Sequence, residues 1–111
     1  MSFGWTKEKH GNALLHWAGS VTHDIRNVHE ALASDNCSWA ASSLRRGFKH
    51  WGRAKAHEDA LALGAKRLPS SRLRAELDRL KWHETLQELE NLETEVGVEC
   101  ERSERVRGGI F

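Results

Sequence analysis

Apolar residues return along this chain at intervals of three and four, in three separate blocks. Leu14, Trp17, Val21, Ile25, Val28 and Leu32 form the first block and share one helical face. Cys37, Ala40, Leu44, Phe48, Trp51, Ala54, Leu61, Ala62 and Ala65 form the second. Ser34, Asp35 and Asn36, between the two, are turn and cap formers. Pro69 is the only proline, and Ser70 or Ser71 after it suits the N-cap of a helix starting near Arg72. β-branched residues are few, tyrosine is absent and no strand-length alternation occurs. The pattern predicts an all-α fold with helices over about 8–33, 36–66 and 71–97. Short connections between them predict a three-helix antiparallel bundle. Residues 1–111 then form a single helical domain in which 98–111 are a flexible C-terminal tail.

The third block carries two apolar stripes. Leu73, Leu77 and Leu80 form one, and Trp82, Leu86, Leu89 and Val96 form another. At about 100° per residue the second stripe lies roughly opposite the first. A helix with two apolar faces must cover two surfaces. Either a kink or a folded-back tail turns the second face inward, or a second subunit or protein partner covers it. Ile110 and Phe111, beyond two glycines, form an apolar chain end that could dock on the same stripe of a neighbouring subunit. Gly47 and Gly52 in the second block would allow close helix approach.

Composition narrows the class without identifying a function. The chain has 111 residues, 30% charged and 39% hydrophobic, with a net charge of +1. That suits one modest core. No apolar run is long enough to span a membrane, and the first twenty residues make a poor secretory signal. A cytoplasmic location and no membrane contact are expected. Cys37 and Cys100 are far apart in sequence, with no C-x-x-C pair, so two free thiols are expected and a single disulfide is the alternative.

The small net charge hides a strong segregation. Between Arg45 and Lys81 eleven basic residues face four acidic ones, whereas Glu84 to Glu101 holds seven glutamates and no lysine or arginine. One helix over 71–97 would then be basic at its positive end and acidic at its negative end, each charge disfavoured by a few tenths of a kcal/mol. The charges are solvated faces, or they meet each other within the chain, or they meet a neighbouring molecule.

The basic zone (Arg45, Arg46, Lys49, Arg53, Lys66, Arg67, Arg72 and Arg74) invites nucleic acid through phosphate contacts. Phe48 and Trp51 fall on the same face as Leu44, so base stacking on them is not expected, and no zinc-finger, RRM or P-loop motif is present.

"HWAGSVTHD" at 16–24 and "HWGRAKAHE" at 50–58 repeat one pattern: His-Trp, five residues, His, acid. A hairpin turning near residues 36–37 would set His16 opposite His57 and His23 opposite His50, with Asp24 and Glu58 as carboxylate partners. Those six residues are the candidate metal ligands, to zinc or another transition metal. Helical angles oppose this reading, because they put Trp17 and Trp51 on the core faces as paired anchors and the histidines at the margin. No cofactor is therefore expected. Glu58 falls near the middle of an apolar stripe and needs a partner, for which Lys55, a tryptophan indole or His83 qualifies.

No nucleophile elbow, phosphate loop or paired Cys-His signature occurs, and a helix N-terminus at Cys37 is not by itself a mechanism. The expectation is a non-enzymatic protein-interaction module: an adaptor, an assembly component or an inhibitor of a larger complex. It would bind a protein partner or self-associate through Trp82, Leu86, Leu89, Val96, Ile110 and Phe111; the alternatives are a nucleic-acid-binding protein using the basic region 45–81 and a metal- or haem-binding helical protein using the paired histidines.

Overall fold

A computed structural model describes residues 7–65 and 71–108, and the side-chain surroundings of 8–61 and 71–101. Lys66, Arg67, Ile110 and Phe111 lie outside the described residues. Four helices occur where the sequence predicts three: α1 Lys7–Ala33, α2 Cys37–Ala65, α3 Ser71–Arg79 and α4 Thr85–Gly108, with a 3₁₀ turn at Trp82–Glu84 before α4. No strand occurs among the described residues.

The connection between α1 and α2 uses the residues the sequence marks for it. Asp35 adopts φ 55°, and the Asn36 N–H reaches back to the Ala31 carbonyl at 2.8 Å, which closes α1 with a Schellman-type wrap. The Asn36 side chain then accepts the Trp39 N–H at 3.0 Å and caps α2. The hairpin sets His10 against His57, and Trp17 and Asp24 against His50, so the two helices run antiparallel.

The third arm is broken. Lys81 sits in the left-handed region at φ 54°, ψ 43°, where a residue with a Cβ is disfavoured. Its N–H bonds the Asp78 carbonyl at 3.0 Å, the chain turns, and α4 starts four residues later. The break swings the second apolar stripe inward. Trp82 is 3% exposed, Leu89 0% and Val96 7%, and Leu86 is half-buried. Trp82, Leu89 and Val96 join Leu14, Val21, Ile25 and Val28 of α1 and Ala40, Leu44 and Ala54 of α2 in one core. Each large side chain buried in this way contributes about 1.5–3 kcal/mol. The stripe expected to meet a partner is therefore covered by the chain itself, and the kink is the account of it that holds.

The break eases the charge conflict at the junction, while Arg72 still stands at the positive end of α3. Arg79 lies in the last turn of α3 and Glu88 in the first turn of α4, each at the helix end whose dipole favours it.

Three further expectations change. Residues 98–108, predicted as tail, continue α4 to Gly108. Cys37 and Cys100, predicted as free thiols, form a disulfide with their Cα atoms 5.7 Å apart, which ties the start of α2 to α4. Of the two glycines, Gly47 permits close approach, since a Cβ there would lie 2.7 Å from Leu89 Cδ2, while Gly52 faces open space.

Candidate functional site

Three polar clusters and two charged faces remain once the core is filled. The first cluster lies in the seam between α1 and α2. Asp24 is 3% exposed, because Val21, Ile25 and Val28 around it belong to the buried face. Its Oδ2 lies 2.6 Å from His50 Nδ1. A carboxylate this buried needs such a partner. The His50 ring stacks on Trp17 at 5.1 Å between centroids, and the Arg53 guanidinium stands over the Trp17 ring at 4.7 Å. Among the described residues no nucleophile bonds the His50 ring, so the pair is an Asp–His bridge without the third member that acyl transfer needs.

Glu58 anchors the second cluster, between α2 and the broken arm. Its Oε2 accepts the Trp82 indole N–H at 2.7 Å, and its Oε1 accepts from Lys55 Nζ at 3.0 Å. Lys55 also reaches Asp59 at 3.1 Å. The hydrogen bonds to Glu58 and then Asp59 raise the Lys55 ammonium above its ordinary value. Trp82 stacks on Trp51 at 6.0 Å. Two of the three partners expected for Glu58 are thus present together, and His83 is exposed instead. Trp17 and Trp51 are both half-buried, but each lies in a different seam, so they are not the paired anchors the repeat predicts.

The third cluster is the one the sequence reading missed. His10 and His57 bring their Nδ1 atoms to 3.0 Å, with ring centroids 5.3 Å apart. Burial, and then the positive charge of His10, lower the pKa of His57 from its ordinary value. Of the six candidate metal ligands, His16 and His23 are exposed on the outer side of α1, with the His16 ring edge-on to Trp17. Neither predicted cross-helix pair forms: His57 meets His10 in place of His16, and His50 meets Asp24 in place of His23. Equal height across the hairpin holds approximately, but helical angle decides which histidine faces the neighbour, and His16 and His23 point away. Residue 10 lies four positions before Leu14, on the apolar side of α1, and that spacing was the signal available for it. Among the described residues no group of three or more His, Cys, Asp or Glu is gathered for a metal.

The outer surface is dominated by charge. Arg45, Arg46, Lys49 and Arg53 are exposed on α2, and Arg72 and Arg74 on α3. Phe48 and Trp51 pack against the core as expected. On α4, Glu84 just before it and Glu88, Glu90, Glu93, Glu95, Glu99 and Glu101 within it are exposed, with His29 3.8 Å from Glu88. Val98, at 49%, is the one exposed large hydrophobic residue among those described. No described helix is long and apolar enough to cross a membrane. Compared with known protein families, curated proteins and solved structures, the chain matches none of them.

Proposed function

We propose that this protein is a small non-enzymatic helical interaction module that self-associates through charge, the acidic face of α4 on one copy lying against the basic face of α2 on another. The observation that carries this reading is the exposure of Arg45, Arg46, Lys49 and Arg53 on one side of α2 together with Glu90, Glu93 and Glu95 on α4. At 100° per residue those four cations occupy an arc of about 100° facing away from the core. Glutamates one turn apart, such as Glu90 with Glu93, disfavour α4 by a few tenths of a kcal/mol per pair. A cationic neighbour relieves that repulsion. Trp82, Leu89 and Val96 are used inside the chain, so the association has little apolar area, forms under electrostatic steering and weakens with salt. Each copy carries both faces, so the contact closes as a dimer or propagates head to tail. The Cys37–Cys100 bond favours an oxidising compartment over the cytoplasm.

Sedimentation velocity at low and high ionic strength tests the reading. Oligomers are expected at low salt and monomers at high salt. Arg46→Glu with Lys49→Glu should remain monomeric at both, and mixing it with a Glu90→Lys, Glu93→Lys variant should restore association. A strict monomer at low salt across the concentration range rejects the proposal.

A second reading takes the same basic face as a nucleic-acid surface, supported by the exposure of Arg72 and Arg74 on α3. With Phe48 and Trp51 packed against the core, contacts would be to phosphate alone and steeply salt-dependent. Retention of a DNA or RNA duplex at low salt, lost in the Arg46→Glu, Lys49→Glu variant, would favour this reading over self-association.

A further inference from the structure

We propose that the α4 arm exchanges between two copies of this chain: the hinge at Lys81 straightens, α3 and α4 become one helix, and Trp82, Leu89 and Val96 fill the α1–α2 groove of the second copy. This association is separate from the charged faces discussed above. It rests on a break that the local sequence does not encode.

Lys81 holds φ 54°, ψ 43°, a conformation disfavoured for a residue with a Cβ. No glycine or proline lies between Ser71 and Val96. Arg79, Leu80, Lys81 and Glu84 are all good helix formers. At the junction the regular ladder gives way to two tighter closures: the Lys81 N–H to the Asp78 carbonyl at 3.0 Å and the Glu84 N–H to the Lys81 carbonyl at 2.9 Å. Straightening removes the left-handed residue and restores bonds four residues apart. The break is therefore held by the contacts the arm makes, not by its own sequence.

Straightening has one geometric consequence. On a continuous helix the stripe of Leu73 and Leu77 lies roughly opposite that of Trp82, Leu89 and Val96. With Leu73 kept beside Gly11 of α1, the second stripe turns away from its own hairpin. Two apolar surfaces then need cover: the released stripe, and the groove it leaves, where Gly47 lets Leu89 approach closely. A second copy supplies the complement of each. Its Glu58 accepts the Trp82 N–H, and its Cys37 meets Cys100, as they do within one chain. The exchange re-forms the native contacts outside the hinge and relieves the hinge itself, and short strained hinges favour such swapping. The entropy of joining two chains opposes it, so concentration sets the balance. In the monomer the Cys37–Cys100 bond keeps the arm from leaving.

The experiment mixes equal amounts of isotopically heavy and ordinary full-length protein. The mixture is reduced with a thiol, held concentrated at high ionic strength, reoxidised with glutathione disulfide and resolved without reductant. The expected product is a covalent dimer in which the Cys37 peptide of a heavy chain is joined to the Cys100 peptide of an ordinary one, and the reverse. The same treatment in dilute solution should return monomers with same-chain pairs. High salt dissolves a dimer held by charge alone, so this outcome and that of the charge-driven association are read separately. Lys81→Gly relaxes the closed hinge and weakens the continuous helix, so its dimer yield should fall about fivefold or more. Lys81→Ala, which keeps the strain and favours the helix, should yield at least as much dimer as the parent. Monomer alone from the concentrated mixture, dimers joined only Cys37 to Cys37 or Cys100 to Cys100, or an undiminished yield from Lys81→Gly overturns the proposal.

Discussion

Glu58 accepts hydrogen bonds from two directions, Lys55 on its own helix and the Trp82 indole from the broken arm. The two contacts differ in energy. Lys55 is substantially exposed, and its ion pair is screened by solvent. Trp82 is buried, and its N–H would lose its only acceptor among the described contacts if the carboxylate went. Glu58→Leu is therefore expected to destabilise the protein by about 1–3 kcal/mol. Glu58→Gln keeps an acceptor oxygen and should cost much less. Urea denaturation of the two variants checks the difference, and equal losses would show that the ion pair, not the indole bond, is what matters. His57 provides a pH dependence at the same scale. Its pKa is lowered from 6.5 in the folded protein, so the unfolded chain binds the proton more readily. Stability is full above pH 6.5, declines as pH falls through that value toward the lowered folded one, and then levels off. His57→Gln should flatten that part of the stability–pH curve, measured by denaturant midpoint across the acid range.

At the scale of elements, the break between α3 and α4 is the decisive feature. Lys81 occupies a left-handed conformation at φ 54°, which costs an L-residue about 1–2 kcal/mol. Lys81 is exposed, so its side chain offers little packing in return. Lys81→Gly should accordingly raise stability by about 1 kcal/mol, read from the urea midpoint, because glycine adopts this conformation freely. A decrease would mean that the Lys81 side chain contributes more at the turn than its exposure indicates. The sequence held a sign of this boundary in its charges. Arg79 and Lys81 end one segment, and Glu84 and Glu88 begin the next, which is the sign reversal that two successive helix dipoles favour. Periodicity alone did not show it, since no glycine or proline marks the break.

Across the whole molecule, the contacts that hold the long arm to the hairpin include the Trp82–Glu58 bond, the apolar seam through Leu89, Leu92 and Val96, and the Cys37–Cys100 bond. The disulfide joins residues 63 apart in sequence, and in the chain-entropy account a loop of that size is worth up to about 4 kcal/mol. Beyond Val96, Gly97, Val98, Glu99 and Glu101 are exposed, whereas Cys100 packs against the core. Reduction should lower the unfolding midpoint. It should also speed amide exchange in the last described turns of α4 ahead of α1 and α2. Unchanged exchange there on reduction would show that packing alone holds the arm.

The one-dimensional pattern determined the all-α class, the turn at Ser34–Asn36, the core faces of α1 and α2, and the need of Glu58 for a partner. These follow from local periodicity, capping chemistry and the cost of burying a lone charge, all of which are local properties. The direction of the second apolar stripe, the pairing of His10 with His57 and Asp24 with His50, and the Cys37–Cys100 bond were decided only by tertiary structure. Each depends on one left-handed residue or on the angle at which two helices meet. A turn of about 100° per residue makes a small change in that angle sufficient to replace one histidine by another. The same geometry took Trp82, Leu89 and Val96 off the surface, leaving charge as the feature the protein presents to its surroundings.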